Sequence, residues 1–333
     1  MKNLYFTFLT LLIGIPFIKA QSYQQISGPT QGTTFHITYS DPRNRNLEKE
    51  IYQLLNEFDF SVSTYNPNSI ISKVNKNISG VKLDAYFITC FNKAKELWRL
   101  TNGAFDPTVY PLVNAWGFGP EKKSKIEQSK IDSLLQFVGF DKIQLVRGKI
   151  LKKDPRVQLD FNAFAQGYSV DVLAQFFINK GIKNFIVEIG GEVYAHGLGA
   201  NNEKWRVAIE QPIENKIDKN AAQVVVELQN KGVATSGNYR RFTEIDGKKI
   251  VHHIDPRTGY PTANNLLSAS VFCSQTLDSD ALATGFLVMG LDNAKLFLEK
   301  HPEIQVFFIY TDEQGKYQVF MTSEIMNWIA QHQ

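Results

Sequence analysis

Short runs of β-branched and aromatic residues, cut by tight turns, limit what this chain can become more than any other feature. Residues 185–189, the Gly190-Gly191 turn and residues 193–196 read as a hairpin, and residues 304–310 with 317–321 read as a second one near the end of the chain. Further strands are expected at 32–40, 142–145, 157–161, 205–210, 224–228, 242–245 and 268–272. Apolar residues recur at helical spacing in 47–60, 84–101, 131–137, 163–179, 280–289 and 293–300, with Asn102-Gly103 and Gly181 supplying stops. Strands far outnumber what a helical bundle could hold, and hairpins predominate over βαβ alternation. The expectation is therefore an α+β fold, antiparallel sheets covered by helices.

The first twenty residues have Lys2 near the start, an apolar stretch broken by Gly14 and Pro16, and Ala20 before the polar Gln21. That pattern reads as a secretory signal peptide cleaved after Ala20, in preference to a membrane anchor, which would need an unbroken apolar span of about 20 residues. Export to a bacterial periplasm or its equivalent follows. Residues 21–333 then form one domain, or two closely packed subdomains with a site between them, whose weakest joint is the lysine-rich loop at 119–129. A hydrophobic content of 43% suffices for a large core. The net charge of +3, without a basic tract, excludes nucleic acid as a partner. Cys90 and Cys273 are far from the cleavage point, which excludes a lipid-anchored cysteine as first mature residue. They could pair in an oxidising compartment or stay apart as small buried hydrophobes, and both readings stay open.

Chemistry concentrates in two segments. In Val251-His252-His253-Ile254-Asp255-Pro256-Arg257-Thr258-Gly259-Tyr260-Pro261, imidazoles, a carboxylate and a guanidinium share a loop kept irregular by Pro256, Gly259 and Pro261. Asp278-Ser279-Asp280-Ala281-Leu282-Ala283-Thr284-Gly285 reads as a helix start in which Asp280 and Thr284, at i and i+4, offer two hard oxygens to one cation. The combination suits a Mg²⁺-dependent site for an anionic substrate.

Other segments are equally rich in site-type residues: Ser63 to Ser69, Gly103 to Val109, Leu159 to Tyr168, and Gly232 to Arg240. With the two segments above, with Trp116-Gly117-Phe118-Gly119 and with Glu188-Ile189-Gly190-Gly191-Glu192, they closely resemble the FAD:protein FMN transferase (ApbE) family over most of the chain. The resemblance implies a T-fold-related architecture and a reaction in which FAD is cleaved at its pyrophosphate. AMP leaves, and FMN is joined through phosphate to a threonine or serine hydroxyl of an acceptor, an exported or membrane-bound redox protein carrying a Ser/Thr flavinylation motif. It implies Mg²⁺ on Asp280, Thr284 and the backbone carbonyl of Ala163. His252 is the candidate base for the acceptor hydroxyl, with Asp255 to orient it. Tyr65 offers a flat face to a flavin or adenine ring, Ala104, Phe105 and Asp106 backbone donors past a helix stop, and Asp160 a contact to ribose or adenine unless it merely caps the next helix. Thr235 and Ser236 offer hydroxyl and amide donors of the phosphate-loop kind, or form a plain turn, and Ile254 joins the set. Two positions depart from the family pattern: Gln166 stands where relatives carry a lysine, and Gln31 where they carry a methionine, still able to touch adenine through backbone or amide. The same site with water as acceptor would make an FAD pyrophosphatase. A non-catalytic flavin carrier would need neither base nor metal, and a purely structural β-rich protein leaves the clustered polar residues unexplained.

Overall fold

The computed structural model describes residues 22–118, 126–209, 224–238, 242–245 and 248–330. The expected signal segment, most of the lysine-rich loop and residue 210 lie outside the described residues. In chain order come β1 (Gln24–Thr30), β2 (Thr33–Ser40), α1 (Glu48–Val62), α2 (Ile70–Asn75), α3 (Ala85–Leu100), α4 (Tyr110–Ala115) and α5 (Gln128–Leu135). They are followed by β3 (Ile143–Val146), β4 (Lys149–Lys152), α6 (Ala165–Asn179), β5 (Asn184–Ile189), β6 (Glu192–His196), β7 (Trp205–Ile209), β8 (Val224–Leu228) and β9 (Lys231–Gly237). The remainder is β10 (Phe242–Ile245), β11 (Lys248–Val251), β12 (Leu266–Cys273), α7 (Thr276–Met289), α8 (Leu291–Lys300), β13 (Gln305–Thr311), β14 (Tyr317–Met321) and α9 (Ser323–Trp328).

One 8-stranded sheet organises the molecule, in the order β1-β2-β5-β6-β9-β12-β13-β14. Every neighbouring pair in it is antiparallel, as the hairpin-rich sequence requires. α6 lies over β5 and β6, and α7 over β9 and β12, so two adjacent helices cover the middle of the sheet. Period-2 alternation divides the side chains between faces. On β12, Ala269 and Val271 join the core beneath α7, whereas Phe272 joins a second core with β7, β8 and α9 on the far side. A third core packs β2 and β5 under α1 and α6 through Phe35, Phe177 and Phe185. Burial of such a side chain contributes about 1.5–3 kcal/mol. α7 is buried nearly all round, which is why it shows no polar stripe and why Asp280, 7% exposed, stands out within it.

Two expectations fail here. Residues 157–161 form no strand, although Val157, Leu159 and Phe161 are buried. The side chain of Asn75 takes both backbone groups of Leu159, at 2.8 Å each, and the Asp160 amide donates to the Pro107 carbonyl at 2.9 Å, so the segment is tied down without a ladder. Thr235 and Ser236 are neither turn nor phosphate loop but the end of β9, paired with Ser270 and Ala269 of β12. The helix expected from residue 163 begins at Ala165, and the one expected from residue 280 begins at Thr276. Cys90 and Cys273 are free, buried thiols. No helix of the described residues is long and apolar enough to cross a membrane.

Candidate functional site

A cavity of about 340 Å³ opens beside the joined ends of α6 and α7, within the size range of small-molecule sites. Its wall gathers Tyr65, Ala104, Phe105 and Asp106, then Asp160, Ala163 and Gln166 leading into α6, Thr235 and Ser236 on β9, His252 and Ile254, and Asp280 and Thr284 on α7. Residues spread over the sequence thus meet at one place.

The α6–α7 contact carries the most chemistry. The amide of Gly167 donates to Asp280 Oδ2 at 2.9 Å. Gly167 is the third residue of α6, so its amide has no partner inside the helix and Asp280 satisfies it. The bond fixes one carboxylate oxygen, and Ala163, just before the N-cap Phe164, lies outside the helical ladder. Only glycine permits the approach: a Cβ on residue 167 would lie 2.5 Å from the Thr276 carbonyl oxygen and 2.7 Å from Asp280 Cβ. Thr284, one turn beyond Asp280, has its Oγ1 3.3 Å from Ser236 Oγ. Burial first, and then the neighbouring carboxylate of Glu192, hold the Asp280 carboxyl well above the usual carboxylate range. A buried carboxylate beside another acid, with a hydroxyl and the backbone of Ala163 on the same wall, is a set of hard oxygens that fits Mg²⁺. Among the described residues no group of three or more His, Cys, Asp and Glu has a metal-holding arrangement, so an ion here would depend on the hydroxyl and carbonyl as well.

The loop after β11 is closed by the bridge between Ile254 and Pro261 and by Gly259 at φ 80°. It puts two imidazoles side by side, ring centres 3.9 Å apart, with Phe118 edge-on to His252 at 6.2 Å. His253 is buried, its Nδ1 2.7 Å from Asn238 Oδ1, and burial pushes its pKa well down. His252 is the half-exposed member and lines the cavity.

Several expected roles change. Asp255 does not orient His252; its carboxylate takes the Arg257 amide at 2.9 Å and the guanidinium at 2.9 and 2.8 Å. The amides of Ala104 and Phe105 are not open donors, being given to the carbonyl and hydroxyl of Thr101. Asp106 caps the short 3-10 turn at Pro107–Val109, accepting from the Thr108 amide and hydroxyl and from the Phe140 amide, and burial pushes its carboxyl up to about 6. Asp160 is no helix cap: it accepts from the Asn162 amide at 2.9 Å and faces the cavity with its pKa raised to about 6 by burial. Of the β9 pair, Ser236 reaches α7, while Thr235, carried to the other face by strand alternation, meets Ser270 at 2.8 Å. Gln31 sits at φ 48° in the β1–β2 turn, 3.3 Å from the Ser169 hydroxyl, outside the cavity wall. Tyr65 stands at the cavity 73% exposed. Glu192, Asn162 and Phe118 also line it; they lie in segments the sequence singles out, but no role is assigned to them there, and the Gly190-Gly191 turn before Glu192 is the available signal.

The family model described as the ApbE family matches residues 31–308. The chain belongs to the ApbE family. It is 35% identical to the FAD:protein FMN transferase of Vibrio cholerae over 95% of this chain and 96% of that protein, and 35% identical to the one from Haemophilus influenzae over 87% of each. Among solved structures it superposes on the flavin transferase ApbE from Vibrio cholerae with a TM-score of 0.83, at 32% identity over 93% of this chain and all of that one. The apo flavinyl transferase ApbE of Pseudomonas stutzeri gives 0.84 at 29% identity, over 94% of this chain and 98% of that one.

Proposed function

We propose that this chain is an FAD:protein FMN transferase that cleaves FAD, releases AMP and attaches FMN through a phosphoester to a threonine or serine of an acceptor protein. The observation that carries the reading is the Gly167–Asp280 bond, which fixes a buried carboxylate on the cavity that Ala163, Thr284, Tyr65 and His252 also line. Asp280, Thr284 and the Ala163 carbonyl would hold Mg²⁺. When bound, the ion screens the pyrophosphate and stabilises charge on the departing AMP oxygen.

The chain's own groups supply the rest. Tyr65 gives a ring face for flavin or adenine at the mouth of the cavity. Asp160, and Asn162 beside it, offer polar contacts to the ribose or adenine part of FAD, and Gln166 an amide that hydrogen-bonds phosphate without neutralising it. His252 takes the proton of the acceptor hydroxyl as its oxygen bonds to phosphorus, and the bridging P–O bond breaks with its electrons leaving on AMP. Asp255 has no part in this step; it holds Arg257 and so the loop. The export signal read in residues 1–20 completes the proposal, with acceptors among exported or membrane-bound redox proteins.

The test is incubation of the purified protein with FAD and Mg²⁺, with and without an acceptor domain bearing a Ser/Thr-Gly-Ala-Thr type motif. AMP release matched by covalent flavin fluorescence on the denatured acceptor is expected. AMP without labelling would instead mark an FAD pyrophosphatase, and bound but intact FAD a carrier.

A further inference from the structure

The contact between α6 and α7 is reciprocal. Gly167, in the first turn of α6, gives its amide to Asp280 of α7. Asp171, one turn further along α6, accepts from the first amides of α7: Thr276 to Oδ1 and Leu277 to Oδ2, both at 2.9 Å. Each helix thus supplies the other's missing N-cap, for neither has a side-chain cap of its own. Early positions of one helix meet later positions of the other, so the two stretches run antiparallel.

Thr276, Asp280 and Thr284 stand at i, i+4 and i+8 on α7, three rungs of one face about 6 Å apart along the axis. Asp171 grips the first rung; the other two face the cavity. From the sheet side, a Cβ on Gly232 would lie 2.7 Å from the Thr276 amide nitrogen, so the first turn of α7 is also pressed against β9. What remains for the helix is movement along its axis, which the paired bonds to Asp171 oppose.

We infer that Asp171 is a positioning residue that sets the height of Asp280 and Thr284 against the Ala163 carbonyl, and thereby the affinity of the cation site, an inference that rests on the Mg²⁺ reading above. An Asp171→Asn side chain keeps one acceptor oxygen and turns an NH₂ toward the second amide, so α7 loses half its grip without loss of volume.

The experiment is a set of thermal melts over a MgCl₂ series without FAD, in which cation-linked stabilisation reports affinity. The comparison is between the wild type, Asp171→Asn, and Asp84→Ala, which removes the cap of α3 where Asp84 accepts from the Phe87 amide. Wild type and Asp84→Ala should reach half their Mg²⁺ response at the same concentration, and Asp171→Asn should need about tenfold more, the usual cost of losing a group behind a metal ligand. Unchanged Mg²⁺ dependence in Asp171→Asn, or an equal shift in Asp84→Ala, would overturn the inference. No response in the wild type would overturn the cation reading and the inference with it, whereas unchanged Asp171→Asn beside a responsive wild type would leave the cation reading standing. If Asp171→Asn does not fold, Asp171→Ser, which keeps one short acceptor, carries the same comparison.

Discussion

Asn238 and His253 meet at 2.7 Å, Oδ1 to Nδ1, and this pair decides which of two adjacent imidazoles is open to a proton. Asn238 Nδ2 donates to the Leu266 carbonyl at 3.1 Å, which fixes the amide's orientation and leaves Oδ1 only able to accept. Nδ1 of His253 therefore carries its proton, and the buried ring stays neutral.

The pH dependence of stability follows with a definite sign. His253 has a folded pKa well below 6.5, so its contribution is complete above pH 6.5 and drains away as pH falls, by up to about 1.4 kcal/mol per pH unit. Asp106, Asp160 and Asp171, each pushed up to about 6 from 3.8, act oppositely, stabilising at low pH and losing that contribution as pH rises through about 6. The difference in unfolding free energy between wild type and His253→Asn should therefore shrink steadily below pH 6.5. A difference that stays constant from pH 7.5 to 5 would contradict a neutral, buried His253.

His252→Ala should slow FMN transfer by roughly 10²- to 10⁴-fold, the range of general-base losses, with FAD affinity nearly kept. Single-turnover rates and FAD titration, run in parallel, separate the two. An unaltered transfer rate removes His252 from the base role.

Asp280→Asn should abolish the Mg²⁺ dependence and lower turnover by at least roughly 10²-fold. Because burial and Glu192 make the Asp280 charge costly, the same change should raise the melting temperature measured without Mg²⁺. Full turnover with Mg²⁺ would rule out the ion assignment.

Gly167→Ala would place a methyl 2.5 Å from the Thr276 carbonyl oxygen. Forcing α6 from α7 should cost about 1–3 kcal/mol and weaken Mg²⁺ binding together with stability. Chemical denaturation and Mg²⁺ titration of one preparation check both, and a neutral substitution would show that the contact is looser than described.

Tyr65→Ala, at a residue 73% exposed, should leave the melting temperature unchanged and raise KM for FAD by about threefold to tenfold, the worth of one aromatic contact. KM equal to wild type would show that no ring of FAD rests on Tyr65.

The fold was legible where one physical signal acted alone. The hairpin of β5 and β6 shows its alternation and its Gly190-Gly191 turn, and α3 shows its period and its stop at Asn102 and Gly103. Residues 157–161 misled because alternating buried side chains look the same whether the backbone is paired in a sheet or held by the side chain of Asn75. β9 hid because Ser236 and Gly237, weak strand formers, follow Thr235 and look like a turn, whereas pairing with β12 holds all three in the strand. In the site, residue types near the loop and on α7 were readable, but partners were not. Asp255 stood close enough in sequence to serve His252, yet the nearer guanidinium of Arg257 takes it, and Asp106 is consumed by Thr108 and Phe140. The Gly167–Asp280 and Asp171–Thr276 contacts were hidden for a different reason, their long separations in sequence.

Those separations bear on how the molecule comes into being. Gly167 and Asp280 are 113 residues apart, and Asp171 and Thr276 are 105 apart. Loop-closure entropy over such distances must be overcome before either contact returns anything, which disfavours early pairing of α6 with α7. Without α7, the first turn of α6 lacks its cap and β9 and β12 lose the helix that covers them. The docking of α7 that covers β9 and β12 is therefore the same step that brings Asp280 and Thr284 to the cavity.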